Sequence, residues 1–242
     1  MNLSDITLVV PTRNEAHNIP RFLASIPPSL RLIVVDASTD ATPEIVVRLR
    51  PKTAHVIRCA GTIPEARQLG AEAARTDWLL FTDADVLFPK SYFRRLAKYL
   101  DADCVYGSKL SLNRFRRYYR YFSYGQQVCH RFGIPAASGS NLALRRHTLV
   151  GVGGFDPELV CNEDSELVWR IKRAGFRVRF APDLPVYATD HRRLERGLAR
   201  KTLHSVFRCL LLYTDLLPSH WRGADWGYWS HARQEDKTGT GS

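Results

Sequence analysis

The chain has 242 residues, 45% apolar and 24% charged, which excludes a wholly disordered polypeptide and suits a folded protein with a sizeable core. Its formal net charge is +11, with 28 Arg and 7 Lys, so phosphate-matching arginine forks carry most of it. Nucleic acid, phosphorylated small molecules and an acidic membrane surface all fit that balance, which by itself chooses none of them.

Residues 6–10 are an apolar, β-branched run ended by Pro11 and read as a buried strand. Residues 16–26 read as a helix stopped by Pro27 and Pro28. A second strand over 32–35 ends at Asp36, and Ser38, Thr39 and Asp40 offer caps for a helix over 42–49. A third strand over 55–58 precedes helical spacing over 63–74. A fourth strand over 78–82 ends at Asp83, and a helix with Pro89 at its start follows to residue 100. Then come strands over 104–109 and 141–144, a glycine turn at 151–154, and a helix over 165–174 closed by Gly175. Strands over 177–180 and 186–188 and a helix over 195–217 complete the pattern. Alternating strands and helices predict an α/β fold with a mostly parallel central sheet flanked by helices. Ligands of such sheets bind beyond the carboxyl ends of strands, which is where Asp36 and Asp83 stand.

The five cysteines are odd in number and form no C-x-x-C pair, which points to reduced thiols in a cytoplasmic setting. No leader-like segment opens the chain, and no apolar run reaches the ~20 residues of a membrane-spanning helix.

Asp83-Ala84-Asp85 places two carboxylates at i and i+2 after a buried strand. Such neighbours repel unless a cation sits between them, and hard dications such as Mn²⁺ or Mg²⁺ take oxygen ligands and bridge to phosphates. Two solvated turn aspartates would look the same in isolation.

The order of motifs separates these readings. Val9-Val10-Pro11-Thr12-Arg13-Asn14-Glu15, Val34-Val35-Asp36-Ala37-Ser38-Thr39-Asp40-Ala41-Thr42 and Pro64-Glu65-Ala66-Arg67-Gln68-Leu69-Gly70 precede the D-x-D segment. Gly151-Val152-Gly153-Gly154-Phe155-Asp156 and Asn162-Glu163-Asp164-Ser165-Glu166-Leu167 follow it. In this order, from residue 6 to about 191, the chain resembles the family 2 glycosyltransferases. It departs from them at Ala37, where the family usually has a second Asp, and mildly at Gln68.

The resemblance implies a GT-A Rossmann-like fold, a nucleotide-diphosphate sugar donor (UDP- or GDP-linked) and transfer of a hexose with inversion. It puts Pro11, Arg13 and Glu15 near the nucleoside, Asp36 on the base or ribose edge, and Arg67 near the base and diphosphate. Asp83 and Ala84 would lie by the ribose and metal, with Asp85 as the direct ligand of Mn²⁺ or Mg²⁺. Asp164 is the candidate base that takes the acceptor's proton, although a carboxylate at a helix start also caps free N–H groups. Glu163 would support the acceptor or the fold. His191 would complete the metal site, or else is a surface histidine before arginines. Arg192 would hold the diphosphate. Gly139 and Asn141 belong to a small-residue segment where donor and acceptor approach the backbone, or to an ordinary loop.

The expected layout is a catalytic domain over 1–194, with a nucleotide-sugar half at 1–109 and an acceptor half at 110–194. An amphipathic helix and aromatic segment over 195–230 and a disordered tail over 231–242 would follow. Arginines interleave with aromatics over 114–122, and Leu203, Val206, Phe207, Leu210, Leu211 and Leu217 form a stripe, with Arg200, Lys201, His204 and Arg208 toward the other side. Packed helices would give both patterns, as would a protein resting on the inner face of the cell membrane with Trp221, Trp226, Tyr228 and Trp229 at the interface. The second reading fits a lipid-linked acceptor such as a polyprenyl phosphate, and no nucleic acid is expected as partner. A nucleotidyltransferase would need a Gly-rich, Lys-bearing phosphate loop that the first strand–helix turn lacks. A non-enzymatic basic membrane- or nucleic-acid-binding protein would leave Asp36, Asp83, Asp85 and Asp164 unexplained at strand and helix ends.

Overall fold

The computed structural model describes residues 2–195, 198–214 and 216–223. Trp226, Tyr228, Trp229 and the tail from 231 lie outside the described residues. The elements run β1 (Ile6–Thr12), α1 (Ile19–Ser25), β2 (Arg31–Asp36), α2 (Thr42–Leu49), β3 (Ala54–Arg58), α3 (Ile63–Ala73) and β4 (Trp78–Phe81). Then follow β5 (Val86–Leu87), α4 (Tyr92–Leu96), β6 (Cys104–Ser111), α5 (Arg116–Arg131), β7 (Leu142–Arg145), α6 (Arg146–Gly151) and α7 (Glu163–Arg173). The described chain closes with β8 (Val178–Ala188), α8 (Arg192–Glu195), α9 (Leu198–Tyr213) and α10 (Ser219–Arg222).

The strands form one sheet in the order β3-β2-β1-β4-β7-β6-β8-β5. β3, β2, β1 and β4 are parallel, as crossover helices require. β7 then runs antiparallel to both β4 and β6, and β8 returns parallel to β6. The central strands are continuously apolar because both faces of the sheet are covered. Leu8, Val10, Leu32, Val34 and Leu80 pack with Phe22 of α1, Val46 of α2 and Tyr92 of α4. Val9, Ile33, Val35, Leu79 and Phe81 pack on the other face with Ala66 and Ala71 of α3 and Leu167, Val168 and Ile171 of α7.

The structure departs from the sequence pattern where chain geometry overrides it. Pro11 lies inside β1, beside Val35 of β2. Pairing with β4 has already stopped at Val9↔Phe81, so no ladder bond is lost on that side. α1 starts at Ile19 rather than Ala16; the N–H groups of Glu15 and Ala16 before it donate to Thr42 and Asp40 of the next crossover. Pro20 then falls in the first helical turn, where a missing N–H costs nothing. The two strands expected over 177–188 are the single β8, and the arginine-aromatic stretch is largely the helix α5.

Candidate active site

β1, β2 and β4 deliver three loops to one end of the sheet. The first is laced to the second: Asn14, with φ +55°, accepts from the Thr39 N–H at 2.9 Å and donates its own N–H to Ser38 at 2.8 Å. Asp40 accepts from Thr42 and Ala16; burial alone would raise its pKa, but these hydrogen bonds hold it below the ordinary value. Asp36 is buried at the end of β2, accepting from Thr12 and Ser38 at 2.6 Å each and from Arg58 at 2.5 Å. Pro11 and Glu15 are half-buried and Arg13 is exposed along the same loop.

The third loop carries Asp83-Ala84-Asp85. Ala84 is buried in the core, while Asp83 and Asp85 stay partly open to solvent. Arg67, buried on α3, reaches across to both halves of the chain. It pairs with Asp83 Oδ1 at 3.0 Å and with Glu163 at the start of α7. Burial works against its charge, yet Glu163, Asp83 and Asp164 together hold its pKa above the ordinary arginine value. Gly139 lies directly over this guanidinium: a Cβ there would fall 2.2 Å from both of its terminal nitrogens and would have to displace it. The Gly139 N–H donates to Asp164 Oδ2 at 2.5 Å, and the Ser165 N–H donates to Asp164 Oδ1 at 2.7 Å. Burial raises the pKa of both Glu163 and Asp164, with Arg67 opposing.

Lys109 of β6 and Ser140 complete the cluster; sequence reasoning missed Lys109 and marked Ser140 only as part of the small-residue segment at 138–141. Lys109 Nζ lies 3.4 Å from Asp85 Oδ1 and 3.8 Å from Asp83 Oδ2, and Ser140 donates to Asp83. A lysine at the carboxyl end of a strand was the available signal for the first. Asn141 is engaged elsewhere: it accepts from Tyr92 at 2.6 Å and donates to the carbonyls of Ser108 and Leu184, tying β6 to β8 behind the cluster.

His191 is buried. Its Nε2 lies 3.0 Å from Asn113 Oδ1, its Nδ1 lies 3.4 Å from the Tyr119 hydroxyl, and the Phe115 and Tyr119 rings pack on it. Burial lowers its pKa, favouring the neutral imidazole. Arg192 opens α8, and its side chain lies outside the described residues. Among the described residues, no three His, Cys, Asp or Glu side chains already converge as a metal cage. The donor set at Asp83 and Asp85 still suits a hard dication that takes its remaining ligands from phosphate and water, as Mg²⁺ commonly does.

α9 passes beside this region. Cys209 accepts from Asn162 at 3.1 Å, and Tyr213 donates to the Pro135 carbonyl. Arg208, on the side of the helix away from the apolar stripe, is 2% exposed and donates to the carbonyls of Trp221 and Arg222. Val206, Phe207 and Leu210 of the apolar stripe stand 50–57% exposed.

A family model described as "Glycosyl transferase family 2" matches residues 7–150. The pre-mycofactocin glycosyltransferase of Mycobacterium tuberculosis is 28% identical over 218 residues, covering 83% of this chain and 46% of that protein. The succinoglycan biosynthesis protein ExoA of Rhizobium meliloti is 29% identical over 198 residues, covering 71% of this chain and 59% of that protein. The chain thus spans about half the length of the curated relatives it matches. Among solved structures, the mannosyltransferase PcManGT from Pyrobaculum calidifontis, in complex with GDP-Man and Mn²⁺, superposes with a TM-score of 0.66 at 23% identity, over 98% of this chain and 76% of that one. S. aureus TarS in complex with UDP-GlcNAc gives 0.63 at 19% identity, over 96% and 77%. At these identities the likeness is one of fold, and it is the GT-A fold.

Proposed function

The chain belongs to glycosyl transferase family 2, and on that premise we propose that it transfers a hexose from a UDP- or GDP-linked sugar to an acceptor, inverting the anomeric carbon. The observation that carries this reading is the buried Arg67, which gathers Asp83 of the D-x-D loop and Glu163, the neighbour of Asp164, around one guanidinium. Those two carboxylate groups stand at strand and helix ends on either side of Arg67, an arrangement suited to a donor on one side and an acceptor on the other.

In this mechanism an acceptor oxygen forms a bond to the anomeric carbon as the bond from that carbon to the diphosphate breaks. The bonding electrons leave on the diphosphate oxygen, and a hydroxyl acceptor's proton passes to Asp164. Gly139 and Ser165 N–H groups fix the orientation of that carboxylate. Its burial-raised pKa brings it closer to neutral pH, where a general base works best. Asp85, with Asp83, would hold Mn²⁺ or Mg²⁺, whose charge would stabilise the departing diphosphate. The neighbouring structures bound to GDP-Man with Mn²⁺ and to UDP-GlcNAc support a nucleotide-sugar donor and a divalent cation.

The acceptor proposal rests on charge and surface. No Asp or Glu occurs between Asp103 and Asp156, a stretch with eight Lys or Arg. α5 within it exposes Tyr121 and Tyr124 beside Arg117 and Arg120, and α9 exposes Val206, Phe207 and Leu210. Basic and aromatic groups together suit anionic headgroups, so the acceptor we favour is lipid-linked. No helix among the described residues is long and apolar enough to cross a membrane.

Thermal melting tests the donor site. Mn²⁺ with UDP or GDP at about a hundred times its dissociation constant should raise the melting temperature by about 5–10 °C. Asp85→Ala should abolish the rise. Asp164→Asn should keep it and lose about 10²–10⁴-fold in turnover. No rise with either nucleotide would count against the donor site, and undiminished turnover in Asp164→Asn would remove the base.

A further inference from the structure

A cation already stands at the carboxylate pair. Lys109 Nζ lies within 3.4 Å of Asp85 and 3.8 Å of Asp83, and donates to Ser140 Oγ at 3.0 Å. Its side chain is only 15% exposed, so the ammonium is largely withdrawn from water. The pairing of β6 with β8 slips between Gly107 and Lys109, where β8 carries extra residues between Ala181 and Val186. Irregularities of this kind re-aim side chains, often beside functional sites. Asp83 also has Arg67, whereas among the described residues the Asp85 carboxylate is paired with Lys109.

Two carboxylates this close need positive charge between them. One ammonium supplies a single charge at hydrogen-bonding distance. A dication supplies two and binds oxygen at about 2.0–2.2 Å, and it repels an ammonium left in place. The lysine's flexible four-carbon stem lets the ammonium withdraw.

We propose that Lys109 is the resident counter-ion of Asp83 and Asp85, and that a divalent cation enters the site by displacing its ammonium. The inference rests on reading these carboxylates as the cation's ligands. It goes beyond that reading by making metal affinity a competition set by the chain's own lysine. No bond to carbon and no electron transfer is involved; the ammonium exchanges carboxylate partners for water or for the donor's phosphates.

The test is Mn²⁺ binding to the purified chain, followed by the loss of free-ion EPR signal, without nucleotide and then with UDP or GDP. K109Q keeps a hydrogen-bonding side chain and removes the charge. It should bind Mn²⁺ without nucleotide about tenfold more tightly than the wild type, about 1.4 kcal/mol. It should also melt at a lower temperature than the wild type in metal-free buffer. K109R keeps the charge and adds a fork that grips carboxylates bidentately, so its Mn²⁺ affinity should fall below wild type. It serves equally if K109Q does not fold. Unchanged or weaker Mn²⁺ binding in folded K109Q, or tighter binding in K109R, overturns the inference alone, provided D85N abolishes wild-type binding. Absence of Mn²⁺ binding in wild type and K109Q, with and without nucleotide, overturns both the inference and the metal-site reading beneath it.

Discussion

At the scale of single residues, Asp83, Glu163 and Asp164 crowd round the one buried guanidinium of Arg67. Asp164 must be ionised to accept a proton, so transfer should rise with pH as it deprotonates. Burial raises its pKa, which places that rise above the ordinary aspartate value of about 4. Burial and the charge of Asp164 push Glu163 up to about 7, so Glu163→Gln should leave a single ionisation where the wild type shows two linked ones. The profile of kcat/KM against pH, for wild type and for Glu163→Gln, checks this; a rise near 4 in the wild type would contradict it. Because Glu163 and Asp164 sit side by side, the observed value belongs to the pair. Asp83, Arg67, Glu163 and Asp164 were legible because ordered motifs marked them, and the structure brings these four together. Lys109 was not legible, and Ser140 was marked only as part of the small-residue segment. Lys109 reaches the site through a strand slip, which depends on pairing between residues about 75 apart that no local pattern encodes.

At the scale of elements, the parallel crossovers were readable from apolar runs and their caps, and β1 to β4 fall close to where the pattern puts them. The second half was less so, since antiparallel β7 and the long β8 are set by partners distant in sequence. α9 shows the limit of helical periodicity. Its apolar stripe exists, but Val206, Phe207 and Leu210 face outward while Arg208 is buried against the carbonyls of α10. A stripe marks a face without saying what covers it. Arg208→Ala should strand those carbonyl groups and detach α9 from α10, costing about 1–3 kcal/mol. In a chain of this size that lowers the melting temperature by about 2–4 °C per kcal/mol. Arg131→Ala, at an exposed position on α5, should change stability by no more than about 0.5 kcal/mol. Equal effects of the two substitutions would contradict the buried role of Arg208.

At the scale of the whole molecule, charge is segregated along the chain: residues 104–155 carry only bases, and all 24 acids lie outside that stretch. The proposed orientation follows, with the basic, aromatic surface toward anionic lipid. The chain should float with vesicles rich in anionic lipid at low salt and release as ionic strength rises, since the attraction is screened over about 10 Å at 0.1 M. Replacing Phe207 and Leu210 by Ser should weaken flotation and leave the nucleotide-induced rise in melting temperature intact. Flotation unchanged by salt and by both substitutions would contradict the lipid-facing surface. The central claim is sugar transfer with inversion at the Asp85–Arg67–Asp164 cluster, and its most direct test is the configuration of released sugar. With water standing in for the acceptor, NMR of nucleotide-sugar hydrolysis in the presence of Mn²⁺ should first show the anomer opposite to that of the donor, and Asp164→Asn should suppress its release. First appearance of the donor's own anomer, or release at the wild-type rate from Asp164→Asn, would contradict the account.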